Sequence, residues 1–327
     1  MEKLPVVKAA ARSIFGSMNP GALLGRLLSI SGRKRSGYWS SSVHPEYYYG
    51  VWLKHLVLLN AHGMRAIPGW IAEFGPGDSL GVGLCALLCG ASKYRGFDTA
   101  NFIEPARDQA MLARLAELFS ARQPRPRKGW PDFDAHLPAT LFPDHILPES
   151  RMRETLDPAR VARLSADIER LQAGDASASM ELTAPWQHRC DDFEPQFDLV
   201  MSHTVLQYLP DLRTYFTNCA RLLKPGGWMS HQVDFSSMGM TRVWNGHLAY
   251  DDIFWRLLTR NQRWFPTRKL LSEYLREIET SGLQLVHIER HCTAGGLTRD
   301  QLATAFRCAS DEDIRCSGVY MIACKPL

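Results

Sequence analysis

Four residues in two short segments carry the first chemical signal. "EFGPGDSLG" places Glu73 ahead of Gly75 and Gly77, and "RGFD" ends on Asp98 about twenty residues later. Two closely spaced glycines let the backbone approach a ligand without a Cβ in the way. A dinucleotide cradle needs a third glycine three residues after the second, and that position is Leu80. No GKS or GKT follows, which removes the nucleotide P-loop. An acid beside the turn suits a ligand carrying positive charge and repels a polyphosphate. Asp98, at the tip of the next strand, is placed to take both hydroxyls of a ribose.

A second set lies in the C-terminal half. His203 follows "FDLVMS", His231 and Asp234 fall in "WMSHQVDF", and His247 sits in "WNGHLAYDD" with Asn245, Asp251 and Asp252. An imidazole titrates near working pH and can take a proton from a hydroxyl as a new bond forms. His231 and Asp234 are three apart on a predicted strand and point to opposite faces, which argues against a direct dyad. The mixture around His247 is read either as a polar pocket for a sugar or small molecule or as an ordinary loop. No carboxylate cluster has a recognisable metal-ligand spacing, although Asp251 and Asp252 keep that question open. The eight cysteines form no CxxC pair. They are expected to be reduced core thiols of a cytoplasmic protein.

The elements that must position these residues follow from pattern. After Pro45, "YYYGVWLKHLVLL" places Trp52, His55, Leu56 and Leu59 on one helical face. "GWIAEF" reads as a buried strand, and Ser79 or Asp78 can cap a helix running to about Gly90. "KYRGFD" is the next strand, so the unit is strand, glycine turn, helix, strand: the start of a doubly wound parallel sheet. Helices are expected over 99–120 and 157–173, then strands in "SASMELTAPW", "FDLVMSH" and "GWMSHQVDF". Residues 210–223 predict an amphipathic helix closed by "KPGG". A further helix, "TRKLLSEYLREIETSG", precedes the strands "LQLVHIER" and "VYMIACKPL". This divides the chain into an arm and first helix over 1–66 and an α/β core over 67–327. Insertions interrupt the core at about 100–177 and 236–266, and the first is read as a lid or as a packing embellishment.

Composition narrows the partners. The chain has 327 residues, 22% of them charged, and a net charge of +4. Its basic residues are scattered apart from an excess before residue 36 and a short run at Arg122, Arg125, Arg127 and Lys128, so no nucleic acid is expected. No apolar run spans a bilayer. Residues 1–35 are read either as a basic amphipathic segment that touches a membrane surface or as a mobile or packed arm. Sequence leaves the oligomeric state open.

"EFGPGDSLG", "GFD", "FDLVMSHTVLQYL" and "LLKPGGWMSHQVDF", in this order, resemble the class I S-adenosylmethionine-dependent methyltransferases. The likeness covers about 68–98 and 178–290. It implies a Rossmann-like seven-stranded sheet, mostly parallel, with the last strand antiparallel. S-adenosylmethionine would lie across the carboxyl ends of the first strands and leave as S-adenosylhomocysteine. Glu73, Gly75 and Gly77 would border its methionine part, Asp98 its ribose, and Ala184 and Trp186 of "TAPW" its adenine. Ser202 and His203 would pass beside the methyl group, and one of Tyr47 to Tyr49, with Tyr49 as the candidate, would reach its carboxylate. The wider layout resembles bacterial methyltransferases acting on polysaccharides or secondary metabolites. The expected reaction is methylation of a small-molecule hydroxyl, with His203, His231, Asp234 or His247 as base. N-methylation, a non-catalytic donor-binding partner protein and an NAD-dependent oxidoreductase are the alternatives. "SHTV", where nitrogen-modifying relatives carry Asn/Asp-Pro-Pro-aromatic, counts against the first.

Overall fold

β1 (Trp70–Phe74) lies third, beside the central β4, in a seven-stranded sheet of order β3-β2-β1-β4-β5-β7-β6. The others are β2 (Lys93–Phe97), β3 (Met180–Thr183), β4 (Phe197–His203), β5 (Leu223–Asp234), β6 (Gln284–Cys292) and β7 (Cys316–Cys324). β1 to β5 pair in parallel, while β7 runs antiparallel between β5 and β6. This computed structural model describes residues 44–127, 133–186, 193–260, 262 and 264–327. The readings of residues 1–43 and of Lys128 lie outside them.

Chain reversal between β1 and β4 makes the site. β1 continues outward to β2 and β3, then the chain returns to add β4 on the other flank. Such a switch leaves a crevice at the carboxyl ends of the two diverging strands. The glycine turn after β1 and the His203 turn after β4 both open into it.

Helices cover both faces. α1 (Pro45–Ala61), α2 (Gly81–Leu88), α3 (Pro105–Ser120), α4 (Glu149–Thr155) and α5 (Pro158–Gln172) belong to one side. α6 (Leu212–Leu222) and α8 (Leu271–Thr280) pack on the other, with α7 (Asp252–Thr259) in the second insertion and α9 (Asp311–Arg315) before β7. α1 is buried from Tyr48 through Leu59 because it is held between the sheet and α2 and α3. A helix enclosed on all sides needs no polar face, and α1 is apolar nearly all round. Lys54 and His55 are the exceptions, at 2% and 0% exposure.

One local expectation needs correction. Neither Ser79 nor Asp78 is the N-cap of α2; Leu80 holds that position, without a capping side chain. Asp108 on α3 supplies the acceptor, taking hydrogen bonds from Leu80 N at 3.1 Å and Ser79 Oγ at 2.6 Å. Ser79 Oγ in turn accepts from Gly81 N, the first residue of α2, at 3.2 Å, so capping is shared between Ser79 and Asp108 of the neighbouring helix, a pairing that local sequence spacing does not reveal. The expected stop holds: α6 closes at Leu222, just before "KPGG", and these residues already belong to β5.

The first insertion builds most of its helices over α2 and β3, and among its described residues only Phe102 lines the crevice. Among the described residues no helix is long and apolar enough to cross a membrane. The seven described cysteines are free thiols.

Candidate active site

The crevice is a cavity of about 570 Å³. That volume suits a small-molecule site. Its floor is the glycine turn. Gly75 and Gly77 have φ of +74° and +76°, a region that L side chains rarely adopt. A Cβ on Gly75 would stand 2.5 Å from Val205 Cγ2, so glycine is needed there for the two turns to meet. A Cβ on Gly77 would meet nothing within 4 Å. Gly81 and Gly83, further along, serve packing: Cβ atoms there would strike the rings of Tyr48 and Tyr94.

Asp98 stands at the tip of β2 beside this floor. Its Oδ2 accepts from Gly77 N at 3.1 Å, and its Oδ1 accepts from Thr99 N at 2.6 Å and Thr99 Oγ1 at 3.2 Å. The side chain lines the cavity, and desolvation raises its pKa. These bonds fix the carboxylate while lone pairs remain for a ribose.

Glu73 is placed differently from the expectation. It is 4% exposed, lies outside the cavity lining, and accepts from Tyr94 OH at 2.6 Å. Burial pushes its pKa up to about 7, with the Tyr94 hydrogen bond acting against that rise. The alternation of β1 sends residue 73 into the α1–α2 side of the sheet, and the chain turns into the cavity only at Gly75. The acids beside the turn that reach the cavity are therefore Asp78 and Asp98.

Three consecutive residues on a helix diverge by about 100° each. Tyr47 and Tyr48 line the cavity, whereas Tyr49 turns away, donates its hydroxyl to the Gln123 carbonyl and packs edge-on to Phe119. Trp186 donates its backbone N–H to the Asp98 carbonyl at 3.1 Å, which ties "TAPW" to the tip of β2. Its indole packs against Phe74 and Tyr215 in the core, and neither Ala184 nor Trp186 lines the cavity.

The histidines separate by strand face. His203 lines the cavity at the end of β4. Ser202 and His231, neighbours in register on β4 and β5, face the opposite layer, where His231 Nδ1 and Ser202 Oγ are 2.8 Å apart. Both are 0% exposed. His247 is also buried, beside Trp255 and outside the cavity lining. Its neighbours do structural work. Asn245 brackets the backbone of Leu297 and Asp251 caps α7 through Phe254 N, while Asp252 pairs with Arg268. Asp234 does reach the cavity, at the carboxyl end of β5, and accepts from Ser236 N at 2.7 Å.

Burial pulls the pKa of His203 down to about 3, and the nearby Lys54 ammonium adds to the effect. The imidazole is accordingly uncharged at neutral pH. Its Nδ1 lies 3.2 Å from Nε2 of His55 on α1. His55 was visible only as one residue of an apolar helical face; a histidine between lysine and leucine in so apolar a run was the available signal. Cavity residues with no signal at all are His291, Thr293 and Ser317, because β7 entering between β5 and β6 brings them there.

Electrostatics select the ligand class. The described lining residues include three carboxylates, Asp78, Asp98 and Asp234, and neither lysine nor arginine. Such a cavity opposes phosphates and favours a cation. A sulfonium nucleoside fits that charge. Among the described residues no group of three or more His, Cys, Asp or Glu is arranged to hold a metal ion.

Comparison with known proteins agrees with this chemistry. A family described as methyltransferase domain matches residues 155–229. The ubiquinone biosynthesis O-methyltransferase of Burkholderia thailandensis is 27% identical over 213 residues, covering 61% of this chain and 84% of its own length. That of Erwinia tasmaniensis is 27% identical over 187 residues, covering 54% and 69%. A solved S-adenosylmethionine-dependent methyltransferase from Mesorhizobium loti shares 14% identity over 82% of this chain and 96% of its own, with a TM-score of 0.41. The sheet in which β7 runs against β5 and β6, the matched methyltransferase domain and the O-methyltransferase relatives together support a class I S-adenosylmethionine-dependent methyltransferase.

Proposed function

We propose that the chain methylates a hydroxyl oxygen of a small, ring-bearing acceptor of the sugar or secondary-metabolite kind, with His203 as general base. The observation that carries this reading is a half-buried imidazole, its pKa pulled down by desolvation, on the wall of a cavity lined by carboxylates. The donor, when bound, supplies an electrophilic methyl group on a positively charged sulfur. Asp98 would hold its ribose, and Gly75 and Gly77 would let the backbone close on its methionine part.

His203 would take the acceptor proton as the oxygen–methyl bond forms. The imidazole would gain the positive charge that methyl transfer removes from the donor, so the net charge inside the cavity would be unchanged. That balance offsets the penalty of charging a half-buried histidine. Tyr47, Phe102, Tyr208, Trp244 and Trp264 would flank a flat acceptor and exclude water. The relatives named as O-methyltransferases support oxygen as the methylated atom. The free thiols fit a cytoplasmic setting.

Incubation with methyl-labelled donor and a panel of phenols, ring alcohols, sugars and matched amines tests the reading. Labelled ethers without labelled amines are expected. Labelled amines alone would overturn it.

A further inference from the structure

Beneath the cavity, α1 and the sheet share a polar cluster enclosed by apolar residues. His55 Nε2 lies 3.2 Å from His203 Nδ1. On its other side His55 Nδ1 lies 2.7 Å from Ser230 Oγ on β5 and 3.0 Å from Tyr320 OH on β7. The two hydroxyls are also bonded to each other. His55, Ser230 and Tyr320 are each 0% exposed, so this network meets no solvent that could substitute for a missing partner.

We infer that His55 is a positioning residue that holds the proton of His203 on Nδ1 and so leaves Nε2 as its accepting nitrogen. This rests on the reading of His203 as base. Which nitrogen of a neutral imidazole carries hydrogen is set by the bond that the other nitrogen makes. Here His203 Nδ1 has a ring nitrogen as its neighbour. A hydrogen on Nδ1 makes His55 Nε2 the acceptor, and the hydrogen of His55 then sits on Nδ1 and is donated to Ser230 Oγ. The reverse arrangement, with His55 Nε2 donating, would place hydrogen on His203 Nε2 and leave it nothing with which to take a proton. Ser230 and Tyr320 therefore act two bonds away from the acceptor, by keeping the His55 ring in one plane and one tautomer. The same three residues come from α1, β5 and β7, which explains why a first helix outside the sheet carries a buried histidine at all.

Two measurements test the inference. In the wild-type chain with ¹⁵N-labelled histidine, long-range ¹H–¹⁵N spectra should show His203 as the Nδ1–H tautomer; the Nε2–H tautomer would overturn it. His55→Leu should lower kcat by about 10- to 100-fold, leave donor Kd unchanged and release the His203 tautomer. His55→Gln keeps an amide oxygen near the Nε2 position, and it should restore both tautomer and kcat. If His203→Ala keeps full turnover, the base reading itself falls. If His203→Ala is inactive while folded His55→Leu keeps the wild-type tautomer and kcat, only the positioning role falls.

Discussion

His203 on the cavity wall and His55 inside the helix layer stand ring nitrogen to ring nitrogen, Nδ1 to Nε2 at 3.2 Å, and join the crevice to the centre of the molecule. Replacing His203 by alanine should lower kcat about 10²- to 10⁴-fold, the range for a lost general base. S-adenosylhomocysteine affinity should be little changed, because S-adenosylhomocysteine lacks the methyl group beside which this ring would sit. Steady-state kinetics beside calorimetric titration separates the two quantities.

Gly75 offers a backbone test. Its φ of +74° and the 2.5 Å approach of a Cβ to Val205 predict that Gly75→Ala destabilises the fold by about 1–3 kcal/mol and weakens donor binding. Adding Val205→Ala should recover the steric part and leave the backbone part. Urea unfolding of the single and double variants measures each share.

Stability should fall as pH drops from 7 towards 5. Burial holds His203, His231 and His247 down at about 3, and His55 also lies well below the ordinary histidine value. In this window the unfolded chain binds protons that the folded chain refuses, and each such proton contributes a slope of about 1.4 kcal/mol per pH unit. Glu73, pushed up to about 7, and Asp108, pushed up to about 6, act in the opposite direction and remove part of that slope. Denaturant midpoints across the window check the sign; a midpoint that rises on acidification would show that the histidines are charged in the fold.

The aromatic wall should act on the acceptor alone. Trp264 and Tyr208 both line the cavity, with ring centroids 6.3 Å apart. Trp264→Ala should raise acceptor KM about tenfold, the equivalent of about 1.4 kcal/mol, with donor Kd unchanged. Equal losses for donor and acceptor would mean that this wall belongs to the donor.

Strand positions and the parallel start of the sheet were legible because buried strands, glycine turn and helix each leave a local pattern. The parts of the site that depend on local order were legible too, such as Asp98 at the tip of the strand next to the glycine turn. Facing was harder. Glu73 and Tyr49 lie one pleat or one helical step from residues that do reach the cavity. His231 sits within the right strand on its other side, and His247 is near the site in sequence yet enclosed beside Trp255. The trans cap of α2 by Asp108 and the His55–His203 contact join residues 28 and 148 positions apart, which no spacing rule links.

On the proposed reading the glycine turn and Asp98 would form the donor site. Gly77 N and Thr99 N hold the Asp98 carboxylate in place, and a ribose bonded to a charged partner is worth about 1.5–3 kcal/mol per hydrogen bond. The most direct measurement is calorimetric titration of S-adenosylhomocysteine into the wild-type chain and Asp98→Ala, with NADH as control. Binding to the wild type, a loss of tenfold or more in the variant and no NADH binding are predicted. Equal affinity in both chains, or binding of NADH in place of the sulfur nucleoside, would contradict the account.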